Sequence, residues 1–136
     1  MRLNTQLNFD GDCRAAFEYY EKCLGGKVTF TLTYGESPMA AHVPAEDHGK
    51  ILHTTLELGD QRLTGCDLPK GRYEKPRGFD VLLSLDNAEE AERVFAALAD
   101  GGAVQMPLQE TFWARRFGMV ADRFGTPWMV NCEKPV

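Results

Sequence analysis

The sequence predicts an α+β protein made of two tandem βαβββ repeats. Three observations carry that prediction: strand-length segments alternating apolar and polar, two amphipathic helical stretches each followed by Gly-Gly, and an internal match between the halves of the 136-residue chain. With Phe9-Asp10-Gly11 laid over Leu85-Asp86-Asn87, one constant offset puts Ala15 on Ala91 and Tyr19 on Phe95. The same offset puts Gly25-Gly26 on Gly101-Gly102 and Val28 on Val104. Further along, Gly59 through Cys66-Asp67 lies over Gly125 through Cys132-Glu133. That second offset is shorter by about ten residues, so the first copy holds an insertion. Gly35–Gly49, with Ser37, Pro38 and Pro44, has the composition of one.

Each element then follows in order. Leu3, Thr5, Leu7 and Phe9 alternate with Asn4, Gln6 and Asn8, which predicts a half-buried strand over Leu3–Phe9. Cys13–Leu24 carries Ala16, Phe17, Tyr20 and Leu24 on one helical stripe, and Gly25-Gly26 supplies the stop. Val28–Tyr34 alternates again and is rich in threonine, a β-branched residue. Lys50–Leu58 and Gln61–Asp67 are strands joined by Gly59-Asp60. The second copy repeats the order with a strand over Phe79–Leu85, a helix over Ala88–Asp100 and strands over Val104–Leu108, Phe112–Asp122 and Pro127–Glu133. Ala91, Val94, Phe95 and Leu98 form its helical stripe, and Glu89, Glu90 and Glu92 suit the start of a helix. Repeat one is therefore 1–68, a linker 69–77 and repeat two 78–136. Lys70, Arg72, Lys75 and Arg77 read as solvated linker charge.

Composition narrows the function. The apolar fraction of 43% and charged fraction of 26% are those of an ordinary soluble domain. A net charge of −5 repels phosphate backbones and anionic lipid, so neither nucleic acid nor a membrane is an expected partner. Apolar runs of about four residues are far too short to span a bilayer. Met1-Arg2-Leu3-Asn4-Thr5-Gln6 lacks the apolar region of a secretory signal. The four cysteines form no CxxC pair, and a cytoplasmic protein with reduced thiols is expected. Cys66 and Cys132 read as packing residues.

Ala16-Phe17-Glu18-Tyr19-Tyr20-Glu21-Lys22-Cys23-Leu24-Gly25-Gly26 and Asp122-Arg123-Phe124-Gly125-Thr126-Pro127-Trp128 resemble two motifs of the PhnB-like branch of the vicinal oxygen chelate superfamily. This superfamily includes glyoxalase I, ring-cleaving dioxygenases and bleomycin-resistance proteins. Phe112-Trp113-Ala114-Arg115-Arg116-Phe117-Gly118 resembles that branch as well, and the resemblance covers essentially the whole chain. It implies curved mixed sheets around a cavity, helices outside, and a homodimer. It is silent about substrate. The branch was once labelled methyltransferase-like, but the sequence has no glycine-rich cofactor-binding motif.

In metal-dependent members the resemblance implies histidines at positions matching Asn4 and Asp80, and glutamates near Leu63 or Thr64 and near Met129. An amide, one carboxylate and a thioether are a poor set for a hard or borderline divalent cation. The expectation is therefore a protein without the usual metal or other cofactor, binding a small polar organic molecule. Its candidate ligand-binding residues are Asn4, Gln6, His53, Asp80, Trp113, Arg116, Met129 and Asn131. His53 shares a strand face with Thr55 and Glu57, and it is either a cavity base or donor or a strand histidine satisfied by its neighbours. Trp113 either stacks on the ligand or closes a subunit contact. Arg115 and Arg116 are adjacent, so only one can point inward. His42 and His48 fall in the insertion and are expected to be solvated. No catalytic residue is assigned. The alternative is a metal-dependent lyase, isomerase or dioxygenase with relocated ligands, starting from Asp80 and His53.

Overall fold

A computed structural model describes residues 1–135 and divides the chain into two compact units, Met1–Glu74 and a second that begins at Lys75. The first contains β1 (Thr5–Phe9), α1 (Cys13–Leu24), β2 (Lys27–Thr33), β3 (Ile51–Leu58) and β4 (Gln61–Asp67). The second contains β5 (Val81–Ser84), α2 (Ala88–Ala99), β6 (Ala103–Gln109), β7 (Ala114–Ala121) and β8 (Pro127–Glu133). Each unit is one helix and one four-stranded mixed sheet, ordered β1-β4-β3-β2 and β5-β8-β7-β6. In both, the first strand runs parallel to the last and the other pairings are antiparallel. This is the predicted α+β fold of two βαβββ modules. No helix among the described residues is long and apolar enough to cross a membrane.

The duplication is visible in backbone geometry. Gly25 ends α1 at φ 79°, and Gly101, its match, follows α2 at φ 76°. A Cβ on Gly26 would lie 2.6 Å from the Glu57 carbonyl oxygen, and one on Gly102 would strike the Ala121 carbonyl oxygen. Both Gly-Gly pairs thus combine a left-handed turn with a close backbone approach that any side chain would block.

Alternation sorts each sheet into two faces. Leu7 and Phe9 are buried on the helix side of β1, where Phe9 meets Phe17 edge-to-face at 6.1 Å. From α1, Cys13, Ala16, Phe17, Tyr20 and Cys23 are buried; Leu24, expected on that stripe, is only half-buried. In the second unit Ala91, Val94, Phe95 and Leu98 of α2 cover Val120, Trp128 and Val130. Each large apolar side chain so buried contributes about 1.5–3 kcal/mol. Gly65 and Gly118 let the helices come this close, because a Cβ added at Gly65 would strike the Phe17 ring and one at Gly118 would lie 2.7 Å from the Phe95 ring.

The helices begin differently. Asn87 caps α2 through its side chain, accepting from the Glu89 and Glu90 N–H groups at 2.8 and 3.1 Å. Asp12, the residue before α1, makes no such bond. Its place is taken by Asp67 at the end of β4, which is 1% exposed. Asp67 Oδ1 accepts from the Gly11 and Cys13 N–H groups (2.8 and 3.0 Å), and Oδ2 accepts from Ile51 N–H (2.9 Å). Tyr34 Oη–H donates to its carbonyl at 2.6 Å.

Three sequence expectations need correction. Leu3 is fully exposed and lies outside β1, because the ladder with β4 begins at Thr5↔Leu63. Asn4 consequently precedes the strand. Bulges interrupt β2 between Val28 and Phe30 and β6 between Val104 and Met106, so simple alternation does not run the length of either strand. The insertion forms two short 3-10 helices, Pro38–His42 and Ala45–Asp47, and His48 is bonded rather than solvated, its Nε2 donating to the Ala40 and Val43 carbonyls at 2.9 and 3.2 Å.

Replacing Asp67 by alanine leaves the buried Cys13 and Ile51 N–H groups and the part-buried Gly11 N–H without an acceptor. The expected loss is about 3 kcal/mol or more in urea denaturation, with Asp67→Asn losing less; an unchanged midpoint for the alanine variant would contradict the role assigned to this carboxylate.

Candidate functional site

In each unit no helix covers the other face of the sheet, called the bare face below, although Thr55, Phe117 and Asn131 on it are 9% exposed or less. On the first, the register Gln6↔Thr64, Asn8↔Cys66 and Thr55↔Thr64 collects polar side chains into one connected group. Thr64 Oγ1–H donates to Gln6 Oε1 at 2.6 Å, Gln6 Nε2 donates to Asn8 Oδ1 at 3.3 Å, and Cys66 Sγ–H donates to the same oxygen at 3.3 Å. His53 sits beside Thr55, with Nε2 and Oγ1 3.4 Å apart, and its ring lies 5.8 Å from that of Phe30. Glu57 and Arg62 close the face with an exposed 3.3 Å ion pair. Gln6 and His53 thus share the bare face, while Asn4 lies just beyond the end of the strand.

The second unit's bare face has a different chemistry. Its register runs Met106↔Met119↔Met129↔Leu82 across all four strands. The neighbouring row runs Gln109↔Phe117↔Asn131↔Ser84. The Trp113 ring lies 5.3 Å from that of Phe117 and 4.7 Å from that of Phe112, forming a stepped aromatic edge. Of the sequence candidates, Met129 and Asn131 stand on this face, Trp113 borders it, and Asp80 immediately precedes β5.

Arg116 does not. Arg116 pairs with Cys132 in unbroken register with Gly118↔Val130, so alternation puts it on the helix side. There Nε donates to Glu92 of α2 at 2.9 Å and Nη1 donates to the Arg115 carbonyl at 2.7 Å. Arg115 is held at the sheet's end, donating to the Glu133 and Asp86 carbonyls at 3.1 and 2.7 Å. Neither guanidinium is aimed at a ligand on the bare face.

The residues present do not fit the metal that the resemblance implies in other members. Leu63 is buried against the helix side, Thr64 is bonded to Gln6, and the β8 position holds a thioether. Among the described residues no three His, Cys, Asp or Glu side chains converge. Nor does a cleft of about 450 Å³ beside the start of α1 offer a clear site: Asp12, Arg14, Glu18, Glu46 and Lys50 line it with mixed charge, and Lys50 is already 2.9 Å from Asp47.

Asp122-Arg-Phe-Gly-Thr-Pro-Trp128 is a turn staple. Asp122 Oδ1 accepts from the Phe124 and Thr126 N–H groups at 2.8 and 3.1 Å, and Oδ2 accepts from the Trp128 indole N–H at 2.8 Å. Sequence reasoning missed Met106, Met119 and Phe117 as surface-forming residues. Their signal was present in the alternation of β7, but only the pairing register puts them beside Met129 and Asn131.

Comparison with known proteins agrees with this architecture. Residues 2–130 match the Glyoxalase/Bleomycin resistance protein/Dioxygenase superfamily. The chain is 36% identical to protein YjdN of Escherichia coli (strain K12) over 143 aligned positions, covering 98% of this chain and 97% of that one. It is similar to the crystal structure of protein PA1353 from Pseudomonas aeruginosa, with 45% identity, 99% of each chain covered and a TM-score of 0.91. The PhnB protein from Bacillus cereus shares the fold at 23% identity and a TM-score of 0.82, over 97% of this chain and 99% of that one.

Burial pushes the Cys66 thiol above its ordinary pKa, so less thiolate is present at pH 8 than in a free cysteine. Iodoacetamide labelling of Cys66, followed by peptide mass spectrometry, should be slower than that of glutathione at pH 8 and still rising above pH 9. Labelling that reaches its plateau below pH 8 would contradict this assignment.

Proposed function

The chain belongs to the Glyoxalase/Bleomycin resistance protein/Dioxygenase superfamily, and on that premise we propose that it binds a small polar organic molecule against the bare faces of its sheets without the usual divalent cation. The observation that carries this reading is the second unit's bare face, where three methionines and Leu82 form one row and Asn131 stands in the next. An apolar surface with a few fixed polar groups is the ordinary composition of a small-molecule site. Methionine adds a floor that adapts to the shape laid on it. On the first sheet Gln6, Thr64, Asn8 and His53 form a hydrogen-bonding surface of its own.

The same reading includes a homodimer in the cytoplasm. Phe112 is 88% exposed, and Trp113, Leu82 and Phe79 are also exposed, and large apolar side chains of this kind suit a subunit contact. The four cysteines form no disulfide, as suits a reducing compartment.

Metal analysis of protein purified without chelator should find Zn, Ni, Fe and Mn well below one per chain, and EDTA should leave the thermal midpoint unchanged within about 1 °C. A thermal-shift screen of polar metabolites should give hits that persist in EDTA, and light scattering should give twice the chain mass. Stoichiometric metal whose removal abolishes ligand shifts would instead favour a metal-dependent lyase, isomerase or dioxygenase.

A further inference from the structure

Asn131 is 9% exposed, and its Oδ1 is the one buried side-chain oxygen or nitrogen among the described residues that has no hydrogen-bond partner. Leaving a buried acceptor without a donor is costly, and native structures rarely tolerate it without a reason. Its place is informative. Asn131 sits between Phe117 and Ser84 in one row of the bare face, and the row of Met106, Met119, Met129 and Leu82 lies one pleat away, about 7 Å along the strands.

The charges nearby are committed elsewhere. Arg115 and Arg116 are the only cations on the four strands of this sheet. The first donates to two backbone carbonyls, and the second is paired with Glu92 on the helix side. An anionic group brought onto this face would therefore find no cation to replace its water, only thioethers and the neutral side chains of Asn131, Ser84 and Gln109. A hydroxyl, amide N–H or ammonium group would meet the one acceptor that needs it.

Building on the small-molecule reading above, we infer that the ligand has an apolar, preferably flat body and presents an N–H or O–H donor to Asn131 Oδ1, with no negative charge where it meets the second sheet. The methionine row takes the body, and the Trp113–Phe117 edge, with ring centroids 5.3 Å apart, borders it. Asn131 acts as a specificity residue, selecting donors over acceptors and over anions.

Three probes that share a ring system test this by calorimetry: 2-naphthol, 2-methoxynaphthalene and 2-naphthoate. The phenol should bind about tenfold or more tightly than the ether, and the carboxylate most weakly. Asn131→Leu should bring phenol and ether to within about twofold of each other and raise the thermal midpoint of the free protein, since it removes the orphaned oxygen. Binding of all three without preference, abolished by Met129→Lys, would overturn the donor assignment alone. So would tightest binding by the carboxylate. No binding by any of the three would overturn this inference, and only a polar-metabolite screen equally without hits would also bring down the ligand reading beneath it. If Asn131→Leu lowers the midpoint and releases monomers, the oxygen's partner belongs to a second copy, which also overturns the inference.

Discussion

Each sheet has one helix to cover it, and one helix can cover only one face. That constraint organises both units. On the covered face large side chains are packed so closely that two strand positions, Gly65 and Gly118, admit no side chain beneath Phe17 and Phe95. On the other face no helix packs, and although Thr55, Phe117 and Asn131 are buried there, its residues need only satisfy one another or a visitor. The first unit answers with the bonded group of Gln6, Asn8, Thr64 and Cys66. The second answers with methionine and one amide oxygen that stays unanswered. The duplication thus preserved the architecture, while the two bare surfaces took opposite chemical characters.

Two buried carboxylates show how little a charged residue's type says about its task. Asp67 and Asp122 are 1% and 4% exposed, and each accepts hydrogen bonds from three donors. Asp67 substitutes for the missing cap of α1 from the end of a distant strand. Asp122 holds the turn into β8 and fixes the indole of Trp128. One of the segments that resemble the family is therefore mostly a turn, and it serves the fold rather than a ligand. Catalysis need not be invoked for either acid.

The candidate site was legible only in part. Gln6 and Asn8 could be placed on the bare face because β1 alternates without interruption, and Leu82 and Ser84 because β5 does the same. Arg116 could not, because two adjacent arginines do not say which of them faces the helix; only the pairing with Cys132 puts Arg116 toward Glu92. His48 looked solvated because its acceptors are backbone carbonyls of its own insertion, which leave no trace in side-chain composition. The orphaned oxygen of Asn131 was invisible for a deeper reason. Whether a polar atom has a partner is a property of its surroundings and not of its residue type.

What the chain's order of residues determined by itself was periodic and local: alternation, helical stripes, Gly-Gly stops and the doubling of a βαβββ unit. These depend on backbone geometry and on neighbours a few residues away, so they can be read along a line. Tertiary structure alone decided the ladder ends, the bulges, the Asp67 cap and the row of methionines. Those depend on which residue of one strand stands opposite which residue of another, and a shift of one position exchanges the covered face for the bare one.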